Sequence, residues 1–346
     1  MLLVLALAAG LWAMGHMMGV SRRARLVMLT ALFAVVLLLQ VALPASHPLR
    51  VATGGSPALW LLIGGFGILA FGYGSGVAWL KARAQGQPAE VTAKPGSFTE
   101  TELDRYARHI VLRELGGPGQ KRLKQARMLV IGAGGLGAPA LQYLAAAGVG
   151  TIGVIDDDVV ENANLQRQVI HRDADIGKPK VFSAEAAMLA QNPAVTVRPY
   201  HRRLTEEIAA DLFADYDLIL DGTDNFTTRY LANQVVVAQG KPLISGALSQ
   251  WEGQLSVFHP ADGTPCYQCI FPEAPAPGLA PSCAEAGVIG PLPGVVGAMM
   301  AVEAIKLITG AGAPLKGEML IYDALYGESR KIRLSRRADC PVCGSG

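Results

Sequence analysis

A glycine-rich turn lies between two apolar segments of the chain and has the spacing of a nucleotide-binding loop. The turn reads Gly132-Ala-Gly-Gly-Leu-Gly137 and follows the apolar segment Met128-Leu-Val-Ile131. Glycines let the backbone approach a phosphate or ribose closely, and the start of the following helix offers free N–H groups. The next apolar segment ends at Asp156, whose carboxylate can accept hydrogen bonds from ribose hydroxyls. The pattern predicts a nucleotide site containing Gly132, Gly134, Gly135, Gly137 and Asp156.

Polar and cationic residues after Asp156 favour ATP over NAD as the nucleotide. The segment Asn164-Leu-Gln-Arg167 and the later Lys180 add an amide and two cations beside an acidic rim. This set suits a triphosphate with Mg²⁺, because arginine clamps phosphate oxygens in a fork and lysine supplies a point charge. Hydride transfer needs fewer cations, and a solvated charged loop is the non-functional alternative. The chain has no G-x-x-x-x-G-K-[ST] sequence, which argues against a P-loop enzyme.

A second acidic segment, Asp221-Gly-Thr-Asp-Asn225, ends another predicted strand. Ligands of α/β sheets bind at the carboxyl ends of strands. Asp224 is therefore expected to hold Mg²⁺ against the phosphates. The structural alternative is that Asp224 caps the helix that follows, and the two roles are compatible.

The five cysteines form two C-x-x-C pairs and leave one over. Cys266 and Cys269, with Cys340 and Cys343, supply the four thiolates of a structural tetrahedral Zn²⁺ site. Disulfides and redox pairs are the competing hypotheses, and a cytoplasmic location disfavours disulfides. The remaining Cys283 is either a buried inert thiol or a thiolate nucleophile beside a helix start, and its sequence does not decide between them.

These residues need a doubly wound, mostly parallel α/β sheet to bring them together. Predicted strands alternate with predicted helices, as such a sheet requires. The strands cover residues 128–131, 151–155, 196–200, 218–221 and 242–245, and the helices cover 138–147, 178–191, 205–213, 225–238 and 295–307. The formal net charge of +2 argues against a strongly basic nucleic-acid binder.

The first 80 residues have a different composition from the rest of the chain. They contain four arginines, no lysine and no acidic residue, whereas charged residues make up 17% of the whole chain. Apolar runs at residues 1–20, 26–43 and 58–80 approach or reach the roughly 20 residues that cross a bilayer as a helix. A signal peptide is the alternative for the first run, but no basic segment precedes this run and no small-residue cleavage pattern clearly follows it. About three spans are expected, with two as the alternative.

Basic residues predict how the spans are oriented. Arg22, Arg23 and Arg25 follow the first run, and Lys81 and Arg83 follow the third. Basic loops stay in the cytoplasm, so residues 81–346 are expected on the cytoplasmic side of an inner, cytoplasmic membrane. The expected organisation is a membrane segment at 1–80, a linker at 81–98 and a catalytic domain at 99–346.

Residues from about 99 to 343 resemble the ubiquitin-activating-type adenylyltransferases of the MoeB/ThiF/HesA group. The likeness is closest to the molybdopterin-synthase adenylyltransferase branch. It rests on seven ordered motifs: Arg105-Tyr-Ala-Arg108, Gly132–Gly137, Asn164-Leu-Gln-Arg167, Thr223-Asp-Asn225, Glu252-Gly-Gln254, the two C-x-x-C pairs and Cys283-Ala-Glu-Ala-Gly287.

The resemblance implies a specific reaction. Such enzymes bind ATP with Mg²⁺ and adenylate the C-terminal carboxylate of a ubiquitin-fold sulfur carrier ending in Gly-Gly, which releases pyrophosphate. Molybdenum cofactor synthesis is the expected pathway, and a thiamine-type or other carrier is the alternative. Because the chain stops at Gly346 without a sulfurtransferase domain, sulfur is expected from a separate donor. A NAD-dependent oxidoreductase and a non-catalytic membrane scaffold are the less favoured hypotheses.

The resemblance also implies roles for individual residues. Gly135 lies against the nucleotide and Asp156 binds its ribose. Asp224 handles Mg²⁺, and Arg108 is lent to the neighbouring subunit of a homodimer. Cys283 corresponds to a cysteine that forms a thioester or persulfide in some relatives and is dispensable in others. The expected phosphate and nucleotide contacts are Asn164, Leu165, Gln166, Arg167, Lys180 and Asn225.

Overall fold

The computed structural model of the protein describes residues 1–84, 96–275 and 286–344. The chain divides into two compact units, Met1–Thr92 and Ala93–Gly346. The first unit is helical, and the second is built around one sheet. Most of the expected linker and all of residues 276–285, including Cys283, lie outside the described residues.

Four helices make up the described part of the first unit. They are α1 (Leu2–Met17), α2 (Arg22–Ala42), α3 (Pro48–Ala52) and α4 (Pro57–Ala84). Helix α2 and residues Pro57–Val77 of α4 are long and apolar enough to cross a membrane. Helix α1 has 16 residues, which span about 24 Å and fall short of a hydrocarbon core of about 30 Å. Helix α4 continues four residues into the predicted linker.

Few side chains of this unit are buried, and those few include polar ones. Val4, Val36 and Trp60 form a small apolar cluster. Beside it, the buried Gln40 donates hydrogen bonds to the Thr53 hydroxyl at 2.7 Å and to the Arg50 carbonyl at 2.9 Å. Most large apolar residues of α4 face outward. Exposed apolar helix surfaces of this kind are typical of lipid-facing segments.

The second unit contains an eight-stranded sheet in the order β3-β2-β1-β4-β5-β6-β7-β8. The strands are β1 (Arg127–Ile131), β2 (Thr151–Ile155), β3 (Thr196–Tyr200), β4 (Leu218–Asp221), β5 (Leu243–Leu248), β6 (Glu252–Phe258), β7 (Glu318–Asp323) and β8 (Glu328–Arg333). In the part of the sheet with the order β3-β2-β1-β4-β5, neighbouring strands pair in parallel, as expected. Strands β5 to β8 pair antiparallel, so the sheet is mixed rather than mostly parallel.

Alternating side chains of the central strands pack against helices on both faces. The helices of this unit are α5 (Glu100–Arg105), α6 (Ala107–Ile110), α7 (Gly116–Gln125), α8 (Gly137–Ala146), α9 (Lys180–Gln191), α10 (Glu206–Ala214), α11 (Phe226–Ala238), α12 (Tyr267–Ile270) and α13 (Pro291–Thr309). Met128 and Val130 of β1 pack in one core with α8, α9 and α13. Leu129 and Ile131 pack in the other core with α10 and α11. The period of two in a strand produces this division.

Helix α13 is also apolar and long enough to be a candidate span, but its surroundings explain its composition. Half of its most apolar stretch is buried. Val296, Met300 and Ala304 lie in the same core as α8 and strands β5 and β6. Helix α13 therefore belongs to the core of the second unit.

Candidate functional site

The glycine turn and the acidic segment meet at the point where the strand order reverses. After β3 the chain crosses over β1 to form β4, and Ile131 of β1 pairs with Asp221 of β4. The two loops that follow touch each other, since a Cβ on Gly132 would lie 3.3 Å from the Gly222 carbonyl oxygen. Open α/β sheets bind their ligands in the crevice at such a switch point.

Two glycines of the turn are required by its backbone. Gly132 has a φ of 90°, a conformation that side chains disfavour. A Cβ on Gly137 would lie 1.9 Å from the Gly132 carbonyl oxygen. Helix α8 begins at Gly137, so the turn leads directly into free helical N–H groups, which attract a phosphate.

Asp156 is aimed at the glycine turn. Its Oδ2 accepts the Ala133 N–H at 2.7 Å, and its Oδ1 accepts the Asp158 N–H at 2.8 Å. Burial raises the pKa of this carboxyl, while the nearby Lys180 opposes the rise. A carboxylate has about four lone-pair sites, so two are still available for ribose hydroxyls. The contact with Ala133 was not predicted from the sequence.

Lys180 is the first residue of α9 and is almost completely buried, with 4% of its surface exposed. Its Nζ lies 2.7 Å from Oδ2 of Asp158, whose side chain is 65% exposed. A buried ammonium with one exposed partner is suited to a phosphate, because Asp158 can return to water when an anionic ligand binds.

The segment Asn164 to Arg167 lies beside the turn, but its members differ in their contacts. Arg167 donates to the Asn164 side-chain oxygen at 2.9 Å and to the Ala163 carbonyl at 3.2 Å. A Cβ on Gly135 would lie 3.9 Å from the Arg167 Cδ, so this arginine flanks the turn. Leu165 ends a short 3₁₀ turn, and Gln166 packs against Gly290.

A buried ion pair that the sequence did not indicate shapes the loop containing Asp224. Asp221 is fully buried and lies 3.3 Å from Nη1 of Arg229 on α11. It also accepts the Thr223 N–H at 3.0 Å and the Thr223 hydroxyl at 2.6 Å. Arg229 donates in turn to the carbonyls of Thr223 and Gly246. The pair therefore ties the loop to both α11 and β5.

The helix cap after this loop is Asn225. Its side-chain oxygen accepts the Thr228 N–H at 2.9 Å, and α11 begins at Phe226. The alternative that Asp224 is the cap is therefore wrong. Asp224 is exposed and makes no hydrogen bond or ion pair with any residue that the structure describes, so its carboxylate is available to a ligand.

Arg108 lies on α6 and is exposed, with no ion-pair partner among the described residues. Among the described residues, no hydrogen bond or ion pair joins it to the glycine turn. Cys283 and its predicted roles lie outside the described residues.

The four predicted metal-binding cysteines converge in the structure. They are buried, and their Sγ atoms all lie within 4.8 Å of one another. Cys266 is 3.9 Å from Cys269 and 3.6 Å from Cys340, and Cys269 is 3.3 Å from Cys343. Four thiolates at about 2.3 Å from a tetrahedral zinc ion are about 3.8 Å apart, whereas a disulfide needs about 2.05 Å. The cluster can therefore hold zinc.

Comparison with known proteins agrees with this geometry. The model of the ThiF family matches residues 106–342. A "Sulfur carrier protein adenylyltransferase" of Thermus thermophilus is 51% identical over 251 residues, which cover 71% of this chain and 93% of the relative. The "SAMP-activating enzyme E1" of Haloferax volcanii is 50% identical over 250 residues, covering 72% of this chain and 92% of the relative.

A longer relative and a solved structure complete the comparison. The "Probable adenylyltransferase/sulfurtransferase MoeZ" of Mycobacterium tuberculosis is 53% identical over 248 residues, covering 71% of this chain and 63% of MoeZ. The structure of E. coli MccB with MccA-N7isoASN superposes with a TM-score of 0.63 at 24% identity, covering 70% of this chain and 75% of MccB. That likeness concerns the fold alone.

The sheet, its switch-point crevice and the glycine turn define an α/β nucleotide-binding enzyme. More particularly, the chain belongs to the ThiF family. It is an adenylyltransferase, as are its curated relatives. Of the two chemistries that the glycine pattern permits, nucleotidyl transfer is therefore the one that applies.

Proposed function

We propose that the protein uses ATP to adenylate the C-terminal glycine carboxylate of a ubiquitin-fold sulfur-carrier protein. The observation that carries the proposal is the clustering of Lys180, Arg167 and the helix start around the glycine turn, at the crevice that Asp224 also borders. The 51% identity to a protein named for this activity supports it. A molybdopterin-synthase-type carrier is the proposed partner, with a thiamine-type carrier as the alternative.

The residues in the crevice address the main obstacle of this reaction, which is that one anion attacks another. A carboxylate is already ionised at neutral pH and needs no general base. Lys180 and Arg167 neutralise the charge that develops on the phosphates and hold them in line. Phosphate oxygens can replace the present partner of each cation, since Lys180 pairs with an exposed carboxylate and Arg167 with a neighbouring amide.

Mg²⁺ is proposed as the metal of the nucleotide, with Asp224 as its protein ligand. The ion supplies Lewis-acid neutralisation of the phosphates when bound. The exposed carboxylate of Asp224, without a partner in the described part of the chain, fits this role. Zinc is proposed in the cysteine cluster as a structural ion, which would join the segment around Cys343 to the segment around Cys269.

A homodimer is proposed as the active form. Arg108 is an exposed cation without an ionic partner among the described residues, which suits an arginine that completes the site of a second copy. A mixture of Arg108→Ala and Asp224→Ala chains tests this arrangement. Activity regained on mixing supports exchange of arginines between copies, whereas two variants that stay inactive when mixed contradict it.

Attachment to an inner, cytoplasmic membrane through the first unit is also proposed. The apolar surfaces and lengths of α2 and α4 support two spans, and the shorter α1 is proposed as the third. Positive-inside orientation would place the catalytic unit in the cytoplasm. Fractionation of cells with a protease-accessible tag after Gly344 tests the location; a tag digested from outside the intact membrane contradicts it.

The adenylation proposal is tested with the full chain in detergent. The assay mixes it with ATP, Mg²⁺ and candidate carriers ending in Gly-Gly, and follows ATP–pyrophosphate exchange. Exchange that depends on a carrier is the expected result, and the carrier giving it identifies the pathway. Asp224→Ala is expected to abolish exchange. Absence of exchange with every ubiquitin-fold carrier, in a chain that binds ATP, would refute the proposed substrate.

A further inference from the structure

A buried imidazole lies behind the glycine turn and is not used by the chemistry above. His171 is 6% exposed. Its Nε2 is 2.9 Å from the Ala133 carbonyl oxygen, and its Nδ1 is 3.0 Å from the Ser183 hydroxyl. The ring therefore bridges the glycine turn to α9, the helix that carries Lys180.

On the side of the turn, the peptide groups of Ala133 are held from two directions. Asp156 accepts the Ala133 N–H at 2.7 Å, and His171 meets the Ala133 carbonyl. Ala133 is fully buried. A buried carbonyl without a donor is costly, so loss of the ring would favour movement of the turn. Movement of Ala133 would also release Asp156, the proposed ribose contact.

On the side of the helix, the ring contacts a second buried polar group. Ser183 is 1% exposed and stands three residues after Lys180. Its hydroxyl has one hydrogen and two neighbouring acceptors, Nδ1 of His171 at 3.0 Å and Oδ2 of Asp175 at 2.8 Å. The first turn of α9 is thereby linked to the glycine turn through the ring.

The hydrogen-bond partners of the His171 ring determine its tautomer. A carbonyl oxygen can only accept, so Nε2 carries a hydrogen. Burial lowers the pKa of His171, and Lys180 acts in the same direction, while the bond to Ala133 and the carboxylates of Asp156 and Asp175 oppose the shift. The neutral ring with hydrogen on Nε2 therefore donates to Ala133, while Ser183 donates its one hydrogen to Asp175 and its hydroxyl lies 3.0 Å from the unprotonated Nδ1.

We infer that His171 is a positioning residue for ATP, which holds the glycine turn and the Lys180 helix in the spacing that the nucleotide requires. This inference rests on the proposed use of ATP by the same site. The ring itself stays behind the turn and acts through Ala133 and Ser183. Its effect is therefore expected on ATP affinity and on KM for ATP, with little change in kcat at saturating ATP.

The test uses the full chain in detergent and measures ATP binding with Mg²⁺ present. His171→Leu is expected to weaken ATP binding about tenfold, as for one buried hydrogen bond lost. His171→Gln is expected to restore most of the affinity, because its amide N–H extends to the position of Nε2. Ser183→Ala is a milder variant that keeps the bond to Ala133 and is expected to show a smaller loss.

His259 provides a matched control. It also contacts a backbone carbonyl, that of Gly240 at 3.2 Å, but it follows β6 at the end of the sheet opposite the crevice. His259→Leu is expected to leave ATP affinity unchanged. Thermal melting of each variant without ATP separates general damage from a loss specific to ATP.

Three outcomes would overturn the inference. The first is ATP affinity in His171→Leu and Ser183→Ala equal to that of the wild type. The second is an affinity in His171→Gln as poor as in His171→Leu although His171→Gln melts like the wild type. The third is a wild-type chain that does not bind ATP, and this result alone would also reject the proposed function.

Discussion

Replacement of Lys180 by methionine separates the contribution of this residue to ATP binding from its contribution to the fold. The Lys180 ammonium lies 2.7 Å from Asp158, and the Asp158 side chain is 65% exposed. Methionine preserves most of the length and apolar contact of the lysine stem. After the substitution, water hydrates the exposed carboxylate of Asp158, so the broken ion pair leaves no buried charge at Asp158.

The expected effects differ in size because the partners of Lys180 differ. An ion pair with an exposed partner contributes about 0–1 kcal/mol to stability. Loss of Lys180 also removes a charge that lowers the pKa of Asp156, which adds a small cost in the same direction. A charged hydrogen bond to a phosphate is worth about 1.5–3 kcal/mol, which corresponds to roughly 10–150-fold in affinity at about 1.36 kcal/mol per tenfold.

ATP binding, carrier-dependent exchange and thermal melting of the full chain measure these effects. Lys178→Met is the matched control, because it makes the same change of charge two residues away at a side chain that is 40% exposed and 3.7 Å from Asp175. ATP binding that weakens equally in the two variants would refute the assignment of Lys180 as a phosphate contact. A Lys180→Met chain that melts far below the wild type would refute the stability argument.

Further predictions concern the other charged and polar groups of the site. Burial raises the pKa of the Asp156 carboxyl, so keeping this carboxyl ionised lowers the free energy of unfolding. The folded chain therefore loses stability as the pH rises through the raised pKa of Asp156. Asp156→Asn is accordingly expected to stabilise the ATP-free chain at pH 7 and to weaken ATP binding, and melting curves should show the gain shrinking as pH is lowered; a gain that grows at low pH would contradict this sign. Asn225→Ala should cost about 1 kcal/mol through loss of the helix cap, whereas Asp224→Ala should leave the melting temperature unchanged while exchange is lost; the reverse pattern would mean that the two roles are exchanged. Chelation of metal, or Cys340→Ser, should remove zinc and lower the melting temperature, with Cys283→Ser keeping its zinc as measured by elemental analysis; a well-folded wild-type chain without metal would exclude a structural zinc ion.

Local sequence determined most of the nucleotide-binding framework. The strands β1, β2, β3 and β4 and the helices α8, α9, α10 and α11 begin and end within about two residues of their predicted bounds, because periodicity and glycine turns are properties of neighbouring residues. Asp156 and Lys180 were identified with the turn for the same reason. The two C-x-x-C pairs predicted a four-thiolate cluster, since this spacing is typical of zinc ligands.

Long-range pairing decided what the sequence left open or did not indicate. Asp221 and Arg229 belong to different elements, and so do His171 and Ala133; no local pattern reports that a buried polar group has found its partner. The antiparallel strands β6 to β8 were not predicted. The pairing of β6 with β7 joins segments far apart in the chain, although β8 pairs with β7 as a local hairpin.

The residues before α11 show how sequence and tertiary structure each contribute to one helix start. The sequence predicted Asp224 as a possible cap of the helix that follows, and aspartate and asparagine are both good cap residues. The Asp221–Arg229 pair fixes the path of the preceding loop, and that path brings Asn225 to the Thr228 N–H and leaves Asp224 exposed. The sequence by itself predicted which residues lie around the glycine turn, and the tertiary structure decided which of them are held in place and which are available to a ligand, because the satisfaction of buried polar groups depends on the whole fold.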